Sequence, residues 1–243
     1  MNINATISKG REHWTTVGGQ KLFLWQKPRT GEPARGTILF VHGSSMASTP
    51  GFDLQAPGYV SAMDFFAGQG FDCWCCDHRG YGRSYKGPEL LATIAEGADD
   101  LAAASRYIID KTEAGPLHIY GISSGALRAA LFAECHPERV KRLALDAFVW
   151  TGKDSPTLEQ RRKKLAEWKA STRRPINRAF LDRHPPARQR LYGQSGAGRA
   201  VCASGARARR FDPQRDLYRH VREPAGQRPR QDHRADAHHA RPI

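Results

Sequence analysis

The chain has 243 residues, 40% of them apolar, with five cysteines and a formal net charge of +14. That length suits one α/β domain with a real core, and no run reaches the ~20 apolar residues of a membrane span. An odd cysteine count argues against a disulfide framework. Charge of this size, taken alone, suggests nucleic acid, an anionic membrane or an acidic partner. Its placement argues otherwise. Residues 181–243 hold 14 Arg, no Lys and 6 acidic residues, a balance of +8, which leaves residues 1–180 at only +6. Nucleic acid is therefore not expected as a partner of the body. Met1 to Glu12 is polar and lacks the apolar stretch of a signal peptide, so a cytoplasmic setting is expected.

In chain order, His13 to Val17 and Lys21 to Gln26 read as two strands joined by a tight turn at Gly18-Gly19. Gly36 to Val41 is a continuous apolar run, as in a strand buried on both faces. Tyr59 to Gly70 has helical spacing and closes on glycine. Phe71 to Cys76 is a second buried strand, followed by the glycine-punctuated turn Asp77-His78-Arg79-Gly80-Tyr81-Gly82-Arg83-Ser84. Glu89 to Lys111 reads as a long helix, Leu117 to Tyr120 as a short strand, Ser124 to Cys135 as a helix and Val140 to Ala147 as a strand. Alternation of this kind predicts an α/β fold, a mostly parallel sheet with helices on both faces. Cys73, Cys75 and Cys76 crowd one strand, where neighbouring side chains face opposite ways and cannot converge on one ion. Neither a metal nor a cofactor is expected.

Gly121-Ile122-Ser123-Ser124-Gly125 follows a strand directly and opens a helix. A serine so placed sits on a sharp turn with its oxygen raised at a helix N-terminus, where developing negative charge is favoured. The flanking glycines keep side chains from colliding across the turn. The bland alternative is a Ser/Gly-rich loop or a phosphate-binding turn. Upstream, His42-Gly43-Ser44-Ser45 ends the first buried strand. Acyl transfer needs backbone N–H donors for the oxyanion; Ser124, after the nucleophile, and Ser44, after the third strand, are the candidates. Ser45, Met46, Phe148 and Trp150 are weaker candidates for the substrate pocket, with core packing as the alternative for the last two.

The ordered motifs Val41-His42-Gly43-Ser44, Asp77 to Ser84 and Gly121 to Gly125 together resemble the serine-nucleophile branch of the α/β-hydrolase superfamily. The likeness is nearest to lysophospholipases, monoacylglycerol lipases and serine-aminopeptidase-like enzymes, and spans about Lys21 to Trp150. It implies Ser123 as nucleophile, a small-molecule acyl substrate (an ester, thioester or amide), and a structural role for the middle motif. It also implies a helical cap after Trp150, which Pro156 to Thr172 could begin. The expected divisions are a core of six strands over 1–150, the start of a cap over 151–180 and an Arg/Pro-rich tail over 181–243.

In this fold a carboxylate and then a histidine follow the nucleophile in the chain. The tail offers Asp212, Asp216, His220, His233, His238 and His239, but no strand frames them. Asp146 is a conceivable acid, with a structural role as the alternative. With codons chosen freely, Gln231 to Arg241 read one base later yields Lys-Ile-Thr-Val-Pro-Thr-Leu-Ile-Met-Arg, a buried-strand sequence. We therefore expect a frameshift between about Leu181 and Arg190, and a truncated, impaired enzyme as written. The rival reading is a non-catalytic protein of the same fold, whose basic tail binds nucleic acid or anionic surfaces. Arginine without lysine counts against an evolved basic arm.

Overall fold

The computed structural model describes residues 8–149, 153–171 and 173. Strands β1 (Arg11–Val17) and β2 (Gln20–Lys27) form an antiparallel hairpin. Its turn needs positive φ twice, at Gly18 (55°) and Gly19 (81°), a combination that glycine supplies without strain. Four further strands follow: β3 (Gly36–Val41), β4 (Phe71–Asp77), β5 (Leu117–Ile122) and β6 (Val140–Asp146). They complete one sheet in the order β1-β2-β4-β3-β5-β6. β3 runs parallel to β4 and β5, β5 runs parallel to β6, and β2 is antiparallel to β4. The mostly parallel α/β architecture expected from the sequence is the one observed.

The helices are α1 (Ser48–Phe52), α2 (Ala62–Gly68), α3 (Ile94–Thr112), α4 (Ser124–Cys135), α5 (Pro156–Lys163) and α6 (Leu165–Ala170). The chain moves one way from β3 to β4 and the other way from β4 to β5 and β6. Right-handed crossovers then put α1 and α2 on one face and α3 and α4 on the other. The packing follows: Leu39, Val41, Trp74 and Cys76 meet Leu101, Ile108 and Phe132, while Ile38, Phe40, Cys73 and Cys75 meet Phe52 and Met63. Each such fully buried large side chain contributes about 1.5–3 kcal/mol. Cys76 thus lies on the opposite face from Cys73 and Cys75, and burial pushes all three thiols up, leaving them as packing groups.

Several boundaries differ from the sequence reading for local reasons. α3 starts at Ile94, not Glu89. Thr93 caps it, accepting from Glu96 N–H at 3.1 Å while the Glu96 carboxylate accepts from Thr93 N–H at 2.7 Å. α2 begins after Ser61, whose hydroxyl accepts from Asp64 N–H at 2.9 Å. α1 was not anticipated: five residues containing Pro50 and Gly51 carry no periodic signal. The segment expected to begin a helical cap carries two short helices, α5 and α6, separated at Lys164.

A buried ionic cluster ties the α1–α2 segment to β2. Lys27, 2% exposed, pairs with Asp53 at 3.0 Å and Asp64 at 2.7 Å. The Ser61 hydroxyl stands 2.7 Å from an oxygen of each carboxylate, Gln55 donates to both, and Trp25 Nε1–H donates to Asp53 at 2.7 Å. No described helix is long and apolar enough to cross a membrane.

Candidate active site

The two crossover directions diverge at β3 and β5, the position where open α/β sheets carry their binding crevice beyond the carboxyl ends of the strands. Val41 of β3 is paired with Gly121 of β5, so the loops leaving these strands start side by side. One loop carries His42-Gly43-Ser44; the other is the turn at Ser123.

Ser123 is the N-cap of α4, with φ 57° and ψ −125°. A non-glycine residue there is strained by about 1–3 kcal/mol, and such strain persists only where its surroundings enforce it. They do so here. A Cβ on Gly121 would fall 2.7 Å from the Gly125 carbonyl oxygen, and one on Gly125 would fall 2.4 Å from Val41 O and 2.5 Å from His42 O. Both glycines are there for close backbone approach, as the sequence argument required. Ser123 N–H donates to Asp146 O at 2.9 Å, and Ala126 N–H closes the first turn on Ser123 O at 3.0 Å. The helix N-terminus is thus aimed past the serine.

Across the crevice, Gly43 faces the serine: a Cβ on it would lie 3.1 Å from Ser123 Cβ and 3.6 Å from Ser123 Oγ. Ser44 follows on the surface, and Ser45 has φ 81°. Two groups hold this loop. His42 donates from Nδ1 to Gly43 O at 2.7 Å and accepts at Nε2 from His78 N–H at 3.1 Å, which defines a neutral ring. Burial, then the neighbouring His78, lower its pKa to about 3. Asp77, at the end of β4, accepts at Oδ1 from Ser48 N–H (2.8 Å) and its hydroxyl (2.6 Å), and at Oδ2 from Arg83 N–H (2.9 Å). A Cβ on Gly82 would fall 1.9 Å from Asp77 Oδ2, so the Asp77–Ser84 turn needs glycine there.

Of the residues proposed from sequence, Ser123 is the N-cap of α4, Ser124 its first residue, and Ser44 is exposed on the loop after β3, next to the Gly43 that faces Ser123. The Ser124 hydroxyl is buried without a partner among the described residues. Ser45 and Met46 continue the same loop, half-buried, and Phe148 is half-buried beyond β6. Trp150, Asp212, Asp216, His220, His233, His238 and His239 lie outside the described residues. Asp146 serves the elbow through its carbonyl. Its carboxylate accepts from Tyr120 O–H at 2.8 Å, and burial followed by that bond pushes the phenol up. The sequence reading missed the clamping roles of His42 and Asp77. The only signal for them was polar residues ending otherwise apolar strands.

The fold and this crevice define the class. The sequence matches the family described as alpha/beta hydrolase fold over residues 36–232, and the chain belongs to that family. Among solved structures it is similar to a thioesterase domain from the curacin biosynthetic pathway, at 21% identity and a TM-score of 0.51, over 76% of this chain and 63% of that one. Other similar structures are an epoxide hydrolase from Vigna radiata (19% identity, TM-score 0.45, 65% of this chain and 47% of that one) and a predicted CIB-like hydrolase from Thermoplasma acidophilum (18%, 0.46, 65% and 70%). The chain therefore spans less than two thirds of the thioesterase domain and under half of the Vigna radiata enzyme. No curated protein matches it.

Proposed function

We propose that the protein is a serine hydrolase that cleaves an ester, thioester or amide through an acyl-enzyme at Ser123. The observation that carries this reading is the enforced backbone of Ser123, φ 57° and ψ −125°, on a strand-to-helix turn facing Gly43. Strain of that kind is kept where a side chain must be presented to a substrate.

Ser123 Oγ attacks the acyl carbon, and a base takes its proton. The carbonyl oxygen becomes an oxyanion, held by the N–H groups of Ser124 and Ser44 beside the helix N-terminus. Collapse expels the alcohol, thiol or amine, which receives the proton, and leaves an ester on Ser123. Water then attacks that ester with the proton transfers reversed. The acid and base of this reading fall to residues after Asp146 in the chain, following the order of the fold. Serine, in place of an aspartate nucleophile, favours acyl transfer over epoxide or haloalkane opening.

The test is labelling by a fluorophosphonate probe, on protein expressed from the gene resequenced through the tail. We expect labelling at Ser123 alone, lost in Ser123→Ala, together with hydrolysis of short p-nitrophenyl esters. A folded protein that neither labels nor hydrolyses any ester, thioester or amide would refute the reading.

A further inference from the structure

Arg128 lies on α4, five residues past the elbow, and is only 2% exposed. Its side chain passes beneath α3 at Gly97, where a Cβ would fall 2.2 Å from Arg128 Cδ and 2.4 Å from Nε. The guanidinium sits 5.7 Å from the Tyr81 ring centre and makes one hydrogen bond, from Nη2 to Ala92 O at 2.9 Å. Nε and Nη1 are buried and find no acceptor among the described residues.

Its neighbours are committed elsewhere. Asp100 accepts from Arg79 Nε at 2.6 Å on one oxygen, and on the other meets Arg79 N–H at 2.9 Å and His78 Nδ1 at 3.3 Å. No described carboxylate forms an ion pair with Arg128. His78, 1% exposed, turns Nδ1 to Asp100 and leaves Nε2 buried without a partner. The His42 ring lies 4.7 Å from that of His78 and 4.9 Å from that of Tyr81, the ring beside the Arg128 guanidinium, behind the His42-Gly43 loop.

A buried guanidinium with two unmet donors and no paired charge is strongly unfavourable, and an apolar side chain of equal volume would cost less. A water molecule would meet the hydrogen bonds but not the charge. A small anion meets both. We propose that Arg128 forms a buried binding site for a small inorganic monoanion of the chloride or bromide type. Arg128 Nε and Nη1 are its donors. The occupant sits one ring layer behind the loop that faces Ser123, separate from the acyl site.

Bromide is the probe. In crystals of the wild-type protein grown with bromide, an anomalous peak is expected in contact with Arg128 Nε and Nη1. An adventitious ion only, on the surface, or water density beside Arg128, overturns the proposal. In solution, about 0.2 M bromide replaces gluconate at constant ionic strength. The thermal midpoint of the wild type should rise by about 3 °C or more; an unchanged midpoint overturns the proposal. Arg128→Met should abolish the rise, and a variant that keeps it places the anion elsewhere. Both wild-type measurements stand even if that variant does not fold.

Discussion

Ser123 N–H donates to the Asp146 carbonyl oxygen at 2.9 Å, so Ser123 hangs from the end of β6, the last strand of the described sheet. The bond extends the β5–β6 pairing by one residue, past the point where the chain leaves strand geometry. It commits the amide of Ser123 to the sheet. Strand, turn and helix are thereby locked into one angle, and the left-handed backbone at Ser123 is the consequence.

Glycine should relieve that strain. Ser123→Gly is expected to raise unfolding stability by about 1 kcal/mol while removing all fluorophosphonate labelling. Urea unfolding checks the first expectation; a variant less stable than wild type would show that Ser123 is not strained.

Gly125→Ala should do the reverse. The new methyl falls on the Val41 and His42 carbonyls, 2.4 and 2.5 Å away, and both belong to backbone that cannot turn aside. A loss of about 1–3 kcal/mol is expected, with α4 displaced from β3 and labelling of Ser123 abolished.

His42 should make stability pH-dependent. Its folded pKa, about 3, lies below the ordinary 6.5, so the unfolded state binds the proton more readily. The contribution is complete above pH 6.5 and is lost as pH falls from there towards 3. Burial lowers His78 in the same direction, followed by the charges of Arg128 and Arg79. His42→Gln is expected to flatten this limb in urea midpoints measured against pH. An unchanged slope would assign it to other groups.

Lys27→Met removes the cation from two buried carboxylates. A loss of about 3–5 kcal/mol is expected, with the α1–α2 segment released from β2 and an early phase in hydrogen exchange there. Burial pushes Asp64 upward, but bonds from Lys27, Ser61 and Gln55 and the charge of Lys27 outweigh it, so its folded pKa lies below 3.8. Its contribution is therefore full above 3.8 and lost as pH falls through the folded value. Asp64→Asn should remove that acid-limb loss in the same urea titration.

A shifted frame makes a prediction about the gene. Sequencing across the codons for residues 175–195 should find one base missing or extra, and the restored frame should continue into a strand, a carboxylate and a histidine. A frame without a shift would reject the idea and leave the basic tail as genuine protein.

The sequence alone determined the sheet and the elbow because both are written locally. The apolar runs at Gly36–Val41 and Phe71–Asp77 have the signature of strands covered on both faces. The Gly121 to Gly125 pattern encodes a turn that admits only small residues where backbones meet. The boundaries of α2 and α3 needed the caps at Ser61 and Thr93, and α1 had no periodicity to read. Only the tertiary structure decided what holds the crevice in shape. His42, Asp77, Lys27 and Arg128 are ordinary polar letters in the chain. His42 meets His78, and Arg128 meets Ala92, each across 36 residues of chain. Which of them is satisfied by a neighbour, and which is left with unmet donors, depends on how strands distant in sequence are laid side by side. No local pattern carries that information, because burial and pairing are properties of the assembled sheet.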